Sequence, residues 1–306
     1  MVALVCLDVD DGNIGGPIPG SGSNGGGGGP CPDCPPEEPS EPCTAPEVPT
    51  EPLNPSLNPS IGGGCGSGIP TQPNLPLPAN NPCKKTKALL EDPAVTEKIG
   101  TLKEQSKIEE GQPNFGEKAF EINNDGTSSG MIDGEEHSVR VGSTIGKQGV
   151  YHNHTPDGIK MPSPPDIIKM LHYALSQPNG NISNGFLGMV GSEECNTCPG
   201  GYKYHNYVIR FSGTLQELGG FTSQNWDSED LIKTYRDAKY ELSTNINYAN
   251  YQYGPLNSDG LEKLFFDTLQ NMGIEGKVNL QRIEDNGTIQ NITQNSNGTT
   301  SATPCP

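Results

Sequence analysis

The chain has 306 residues, a formal net charge of −18 and nine cysteines. A surface with that charge balance repels phosphate backbones and offers no counterion-release term, which excludes nucleic acid as a partner. No run of about 18 apolar residues occurs, which excludes a membrane-spanning helix.

The first 83 residues contain no Lys or Arg, carry nine Asp and Glu, and lack aromatics, the first being Phe115. Residues 11–83 hold 18 of the 29 prolines, with a glycine run at 25–29. Such a stretch has too little apolar surface to offset its chain entropy, so residues 1–83 are expected to form a disordered, partly polyproline-II tether. Residues 84–292 suffice for one domain with its own core, and 293–306, rich in Asn, Gly, Ser and Thr, are expected to be flexible. Met1 to Leu7 is apolar but too short for a signal h-region and has no basic n-region.

Cys6, Cys31, Cys34, Cys43, Cys65 and Cys83 lie in the tether, Cys195 and Cys198 in a loop, and Cys305 beside the C-terminus. Their surroundings are polar or rich in Gly and Pro, whereas free cysteines are normally buried in apolar segments. Local disulfides in an extracytoplasmic or secreted protein, or free thiols, account for that placement, the odd count leaving at least one thiol free, blocked or paired with another chain; a zinc knuckle from the two Cys-x-x-Cys pairs is the lesser alternative.

In chain order, residues 85–91 and 93–107 read as helices broken at Asp92-Pro93. Phe115–Asn123 alternates as a strand and turns at Asn124-Asp125-Gly126. Ser138–Val141 and Gly149–His154 follow as strands, then a helix over Pro164–Gln177 with Ile167, Ile168, Met170, Leu171 and Ala174 as its buried stripe. Phe186–Val190 and Tyr204–Phe211 are apolar strands. Asp227–Leu242 and Leu261–Met272 read as amphipathic helices, and Lys277–Ile283 with Thr288–Ile292 as a hairpin about Asn286-Gly287.

The residues that carry chemistry lie in Tyr151-His152-Asn153-His154-Thr155-Pro156 and Met161-Pro162-Ser163-Pro164-Pro165-Asp166. On a strand His152 and His154 emerge on one face, about 7 Å apart along the chain, so both imidazoles can converge on one metal. An acidic third ligand at the start of the next helix would leave one tetrahedral position open, the layout of a catalytic zinc site. Ser163 and Asp166 are equally good helix-start residues, and capping alone accounts for them when read in isolation. His137 and His205 have no acidic or cysteine partner at metal spacing, and His172 is expected to face away from the ligands. Tyr248, Tyr251 and Tyr253 read as loop packing rather than a binding platform.

His-x-His, eight residues and then Ser-x-x-Asp resembles the JAMM (MPN+) metalloprotease family over roughly residues 113–215. The resemblance implies an α/β fold, a JAMM/cytidine-deaminase-like mixed β-sheet with flanking helices. It also implies Zn2+ on His152, His154 and Asp166, and Ser163 at the oxyanion. Glu117 is the family-position general base, with Glu121 in reserve. Phe120 stands where the family has Gly, and Thr155 where a Pro usually follows the second His. The implied activity is hydrolysis of a peptide or isopeptide bond in a protein or peptide substrate. An inactive binding module of the same fold, or a secreted effector or toxin module, are the rival readings.

Overall fold

The computed structural model describes residues 81–306; the expectations for the tether, and for its five cysteines up to Cys65, lie outside the described residues. Two helices open the described part. Asn81 caps α1 (Pro82–Leu90) and Asp92 caps α2 (Pro93–Gln105), each with Pro in the first turn, where its missing N–H leaves no helical bond unmade. The strands are β1 (Lys118–Asn123), β2 (Ile132–Asp133), β3 (Lys147–Asn153), β4 (Phe186–Glu194), β5 (Tyr202–Phe211), β6 (Val278–Ile283), β7 (Ile289–Gln294) and β8 (Thr300–Pro304). They form one mixed sheet in the order β2-β1-β3-β4-β5-β6-β7-β8. The β3/β4 pair is parallel, and α3 (Pro164–Leu175) supplies the crossover that parallel neighbours require. Helices α4 (Leu215–Thr222), α5 (Ser228–Ser243) and α6 (Ser258–Asn271) follow β5.

The two faces of the sheet bury separate cores. Strand alternation sends Ala119, Val150, Leu187, Met189, Tyr207 and Ile209 to one face, where Met170, Leu171 and Ala174 of α3 and the apolar sides of α5 and α6 pack. Phe120, Ile122, Tyr151, Phe186, Val190 and Val208 go to the other, against Leu89 of α1 and Val95, Ile99 and Leu102 of α2. On that second face Tyr151 lies over Gly188, where an added Cβ would come 2.3 Å from its ring. The α/β class and the mixed sheet with flanking helices agree with the sequence reading.

Three segments differ from it. Ser138–Val141 is not a strand; the strand paired to β1 is the two-residue Ile132–Asp133, and residues 134–146 run as loop. Alternating apolar and polar residues there have no neighbouring strand to pair with, so the pattern alone does not produce a strand. Residues 293–306 are not loose: Ile289–Gln294 and Thr300–Pro304 pair antiparallel across a turn at Asn297-Gly298, Gly298 having φ of 80°. Ladder hydrogen bonds, which composition does not register, hold this polar hairpin to the sheet edge. The boundary expected at 83 falls inside α1, and Cys83 is disulfide-bonded to Cys305, tying the first helix to the last strand. Cys195 and Cys198 are also bonded to each other, so all four cysteines among the described residues are disulfide-linked and the zinc-knuckle alternative is ruled out for Cys195 and Cys198.

Candidate metal centre

His152 is the penultimate residue of β3, and the backbone continues its pairing for one residue more, His154 N–H donating to the Val190 carbonyl at 2.9 Å. Both side chains therefore stand on the α3 face of the sheet. Asp166 is the third residue of α3, whose first turn points at the end of β3. The ligand atoms of His152, His154 and Asp166 all lie within 4.8 Å of one another, and the group could hold a metal ion.

The separations suit one. The two Nε2 atoms are 3.0 Å apart, His152 Nε2 is 3.4 Å from Asp166 Oδ1, and His154 Nε2 is 3.5 Å from Asp166 Oδ2. Tetrahedral bonds of about 2.0–2.1 Å put ligand atoms about 3.3 Å apart. His154 Nδ1 lies 2.5 Å from the Ile159 carbonyl, which accepts its proton, so the Nε2 lone pair faces inward. His152 is likewise hydrogen-bonded to the backbone of Gly188. Two inward lone pairs at this distance repel each other unless a cation sits between them.

Electrostatics prepare the ligands. Burial pushes His152 down to about 4, with His154 adding to the effect and Asp166 opposing it, so the imidazole is neutral at neutral pH. Burial would raise Asp166, but the His152 and His154 imidazoles beside it and the Ser163 N–H that donates to it hold its carboxyl well below the usual carboxylate range. The amino end of α3 adds to that preference for the anion.

Ser163 acts on Asp166. Its N–H and its hydroxyl both donate to Asp166 Oδ2, at 2.8 and 2.7 Å. The capping reading and the ligand reading thus coincide: the carboxylate that closes the helix start is the one aimed at the histidines. A hydroxyl has one proton, and here it is committed to Asp166 rather than directed outward.

The register of β1 on β3 separates the two glutamates. Ala119 faces His152 and Glu121 faces Val150, so Glu117, Ala119 and Glu121 share the α3 face, with Glu117 at the His154 end. Glu117 is buried, and its backbone is held on both sides, its N–H donating to the Glu135 carbonyl and its carbonyl accepting from Gly134. Glu121 is engaged elsewhere: it forms an ion pair with Lys147 and accepts from the Tyr173 hydroxyl at 2.9 Å. The reserve candidate therefore serves the core at the far end of the strand.

Several positioning residues escaped the sequence reading. Asn153, the residue between the two histidines, accepts from the Lys118 N–H at 2.8 Å and reaches the Gly116 carbonyl, tying the start of β1 to the end of β3. Lys160 donates to the carbonyls of Thr155, Pro156 and Gly158, and the Tyr235 hydroxyl of α5 donates to the Met161 carbonyl. His137 and His205, expected to have no acidic or cysteine partner at metal spacing, join no metal-ligand group among the described residues, but each meets one carboxylate: His137 Nε2 is 3.6 Å from Asp157, and His205 Nε2 is 3.0 Å from Glu193. Both partners come from neighbouring loops and strands, which spacing along the chain does not reveal. His172 is half-buried on α3 outside the ligand group.

Comparison of the chain with protein-family models, with curated proteins and with solved structures returns no match.

Proposed function

We propose that this protein is a zinc-dependent hydrolase of peptide or isopeptide bonds, with His152, His154 and Asp166 as the metal ligands. The observation that carries the reading is three buried or half-buried donors at metal-ligand separations, with a buried carboxylate, Glu117, on the same sheet face. Two imidazoles and one carboxylate with a further position open form the donor set of catalytic rather than structural zinc. The His-x-His and Ser-x-x-Asp spacing, which resembles the JAMM family, supports the same reading.

Zinc bound there would lower the pKa of a water to about 7 and polarise a carbonyl. Glu117 accepts the proton of the attacking water and returns it to the leaving amine. Ser163 holds Asp166 in register; for its hydroxyl to serve the oxyanion it turns away from Asp166 as substrate arrives. Asn153 and Lys160 keep the strand end and the loop that carry these groups in place. The substrate is a protein or peptide, and the two disulfides favour an extracytoplasmic or secreted setting.

The experiment is metal analysis of the purified full-length protein followed by hydrolysis of a peptide library and of isopeptide-linked substrates. Stoichiometric zinc, lost in both His152→Ala and His154→Ala, together with zinc-dependent cleavage, is the expected result. Zinc retained in both variants would sink the ligand assignment. Zinc bound without any cleavage would favour the binding-module reading.

A further inference from the structure

On the opposite face of the sheet from the histidines, α1 and α2 leave a cavity of about 300 Å³, a size at the lower end of small-molecule sites. One wall is apolar, from Leu89, Val95 and Ile122, and the charged residues of the lining are Lys85, Asp92 and Arg210.

Arg210 is the unusual member. It projects from the penultimate position of β5 and is only 4% exposed. Its guanidinium lies against the Phe186 ring, 4.9 Å from the centroid, and donates to the Asn184 carbonyl at 3.0 Å and weakly to Thr86 at 3.4 Å. Those bonds use two of its five N–H groups, and among the described residues it has no carboxylate partner. A buried cation without a counter-ion is costly, and burying a second cation beside it is more so. Lys85 is that second cation: it donates to the Ser183 hydroxyl, and burial together with Arg210 pulls its ammonium down to about 8. Asp92 does not neutralise the pair directly. Its carboxylate caps α2, accepting from Ala94 N–H at 2.8 Å.

We propose that this cavity binds a small organic carboxylate with an apolar body, its carboxylate meeting Arg210 and Lys85 and its body lying on Leu89, Val95 and Ile122. Two cations and one anion leave a single positive charge, which suits a monoanion better than phosphate. A guanidinium presents parallel N–H groups that match a carboxylate. The apolar wall would go unused by an inorganic ion. This site is independent of the metal centre and stands whether or not the chain is a hydrolase.

The test uses the full-length protein and ligand-observed NMR titration with hexanoate, hexanol and inorganic phosphate. Hexanoate is expected to bind and hexanol not to. Lys85→Met, at a half-buried position on α1, should weaken hexanoate about tenfold or more. Ala88 is exposed and lines the same cavity, so Ala88→Trp should block the site while leaving the thermal midpoint of the ligand-free protein unchanged. Equal binding of hexanol and hexanoate would overturn the proposal by reducing the site to an apolar hole, and preferred binding of phosphate would overturn the carboxylate assignment. No hexanoate binding, or binding unaffected by both variants, would remove the site altogether.

Discussion

Lys160 occupies the space that a side chain at Gly191 would fill: a Cβ on Gly191 would lie 2.7 Å from Lys160 Cδ. The parallel register that sets His152 beside Met189 sets His154 beside Gly191, so the lysine stem crosses β4 next to the second histidine. Its ammonium then gathers the carbonyls of Thr155, Pro156 and Gly158 and closes the loop between His154 and Ser163.

Gly191→Ala should therefore push out a lysine whose far end is anchored, and loosen the loop between His154 and the start of α3, which carries Asp166 in its first turn. We expect metal affinity to fall about 10- to 100-fold, the range for residues that orient ligands, as measured by chelator competition. Lys160→Met should do the same, and the double variant should be no worse than either alone, because both remove one interaction. Unchanged affinity in both would dissociate this pair from the centre.

The two glutamates make opposite predictions. Glu117→Gln should keep fold and metal but abolish hydrolysis, since an amide cannot take the water proton. Glu121→Gln should leave Lys147 without its charge partner in a buried site, costing about 1–3 kcal/mol in denaturant unfolding while activity per folded molecule persists. Activity lost in Glu121→Gln and kept in Glu117→Gln would overturn the assignment of the base.

Acid should destabilise the metal-free protein before its carboxylates titrate. Burial lowers His152 to about 4 and also lowers His172 and His205, so the unfolded chain takes up protons near pH 6.5 that the folded one refuses. Folded pKa values below the unfolded ones mean that stability is lost as pH falls from about 6.5 toward 4. Asp166, shifted down, contributes stability that persists until pH falls below its unfolded value of 3.8. Urea unfolding in chelator at pH 7.5 and pH 5 should differ by about 2 kcal/mol for His152 alone, about 1.36 kcal/mol for each of the roughly 1.5 pH units below 6.5. Equal stabilities at the two pH values would count against neutral buried histidines.

The domain boundary expected at residue 83 is testable through Cys83. Removing residues 1–80 takes away none of the described residues and should leave the thermal midpoint of the domain unchanged. Removing 1–83 also deletes the bond to Cys305 and the first two residues of α1, and should cost several kcal/mol, about 5 by the chain-entropy account of so long a loop. The difference between the two truncations should vanish when both are measured in reductant, apart from the lost helical residues. If the two truncations melt alike under oxidising conditions, the disulfide contributes nothing to stability.

The candidate metal group of His152, His154 and Asp166 was legible in the sequence because its geometry is local. The two-residue period of a strand aligns His152 with His154, and the Ser-x-x-Asp helix start points Asp166 back along the helix axis; both follow from backbone geometry without knowledge of the fold. Most of the helices were legible for the same reason, through capping residues and apolar stripes; the short α4, Leu215–Thr222, with only Leu218 buried, was not. What needed tertiary structure was everything set by register between distant segments. Glu117 and Glu121 lie four residues apart along one segment, and the pairing of Ala119 with His152 sets Glu117 toward the His154 end while Glu121 is held by Lys147 and Tyr173. Gly191 lies just past the apolar strand expected over Phe186–Val190, and only the fold shows Lys160, arriving from another segment, filling the space beside it. Arg210 reads as an interruption of an apolar run until the sheet buries it beside Lys85. The β7/β8 hairpin is held by ladder hydrogen bonds between polar residues, and backbone pairing leaves no mark on the side chains that a pattern can detect.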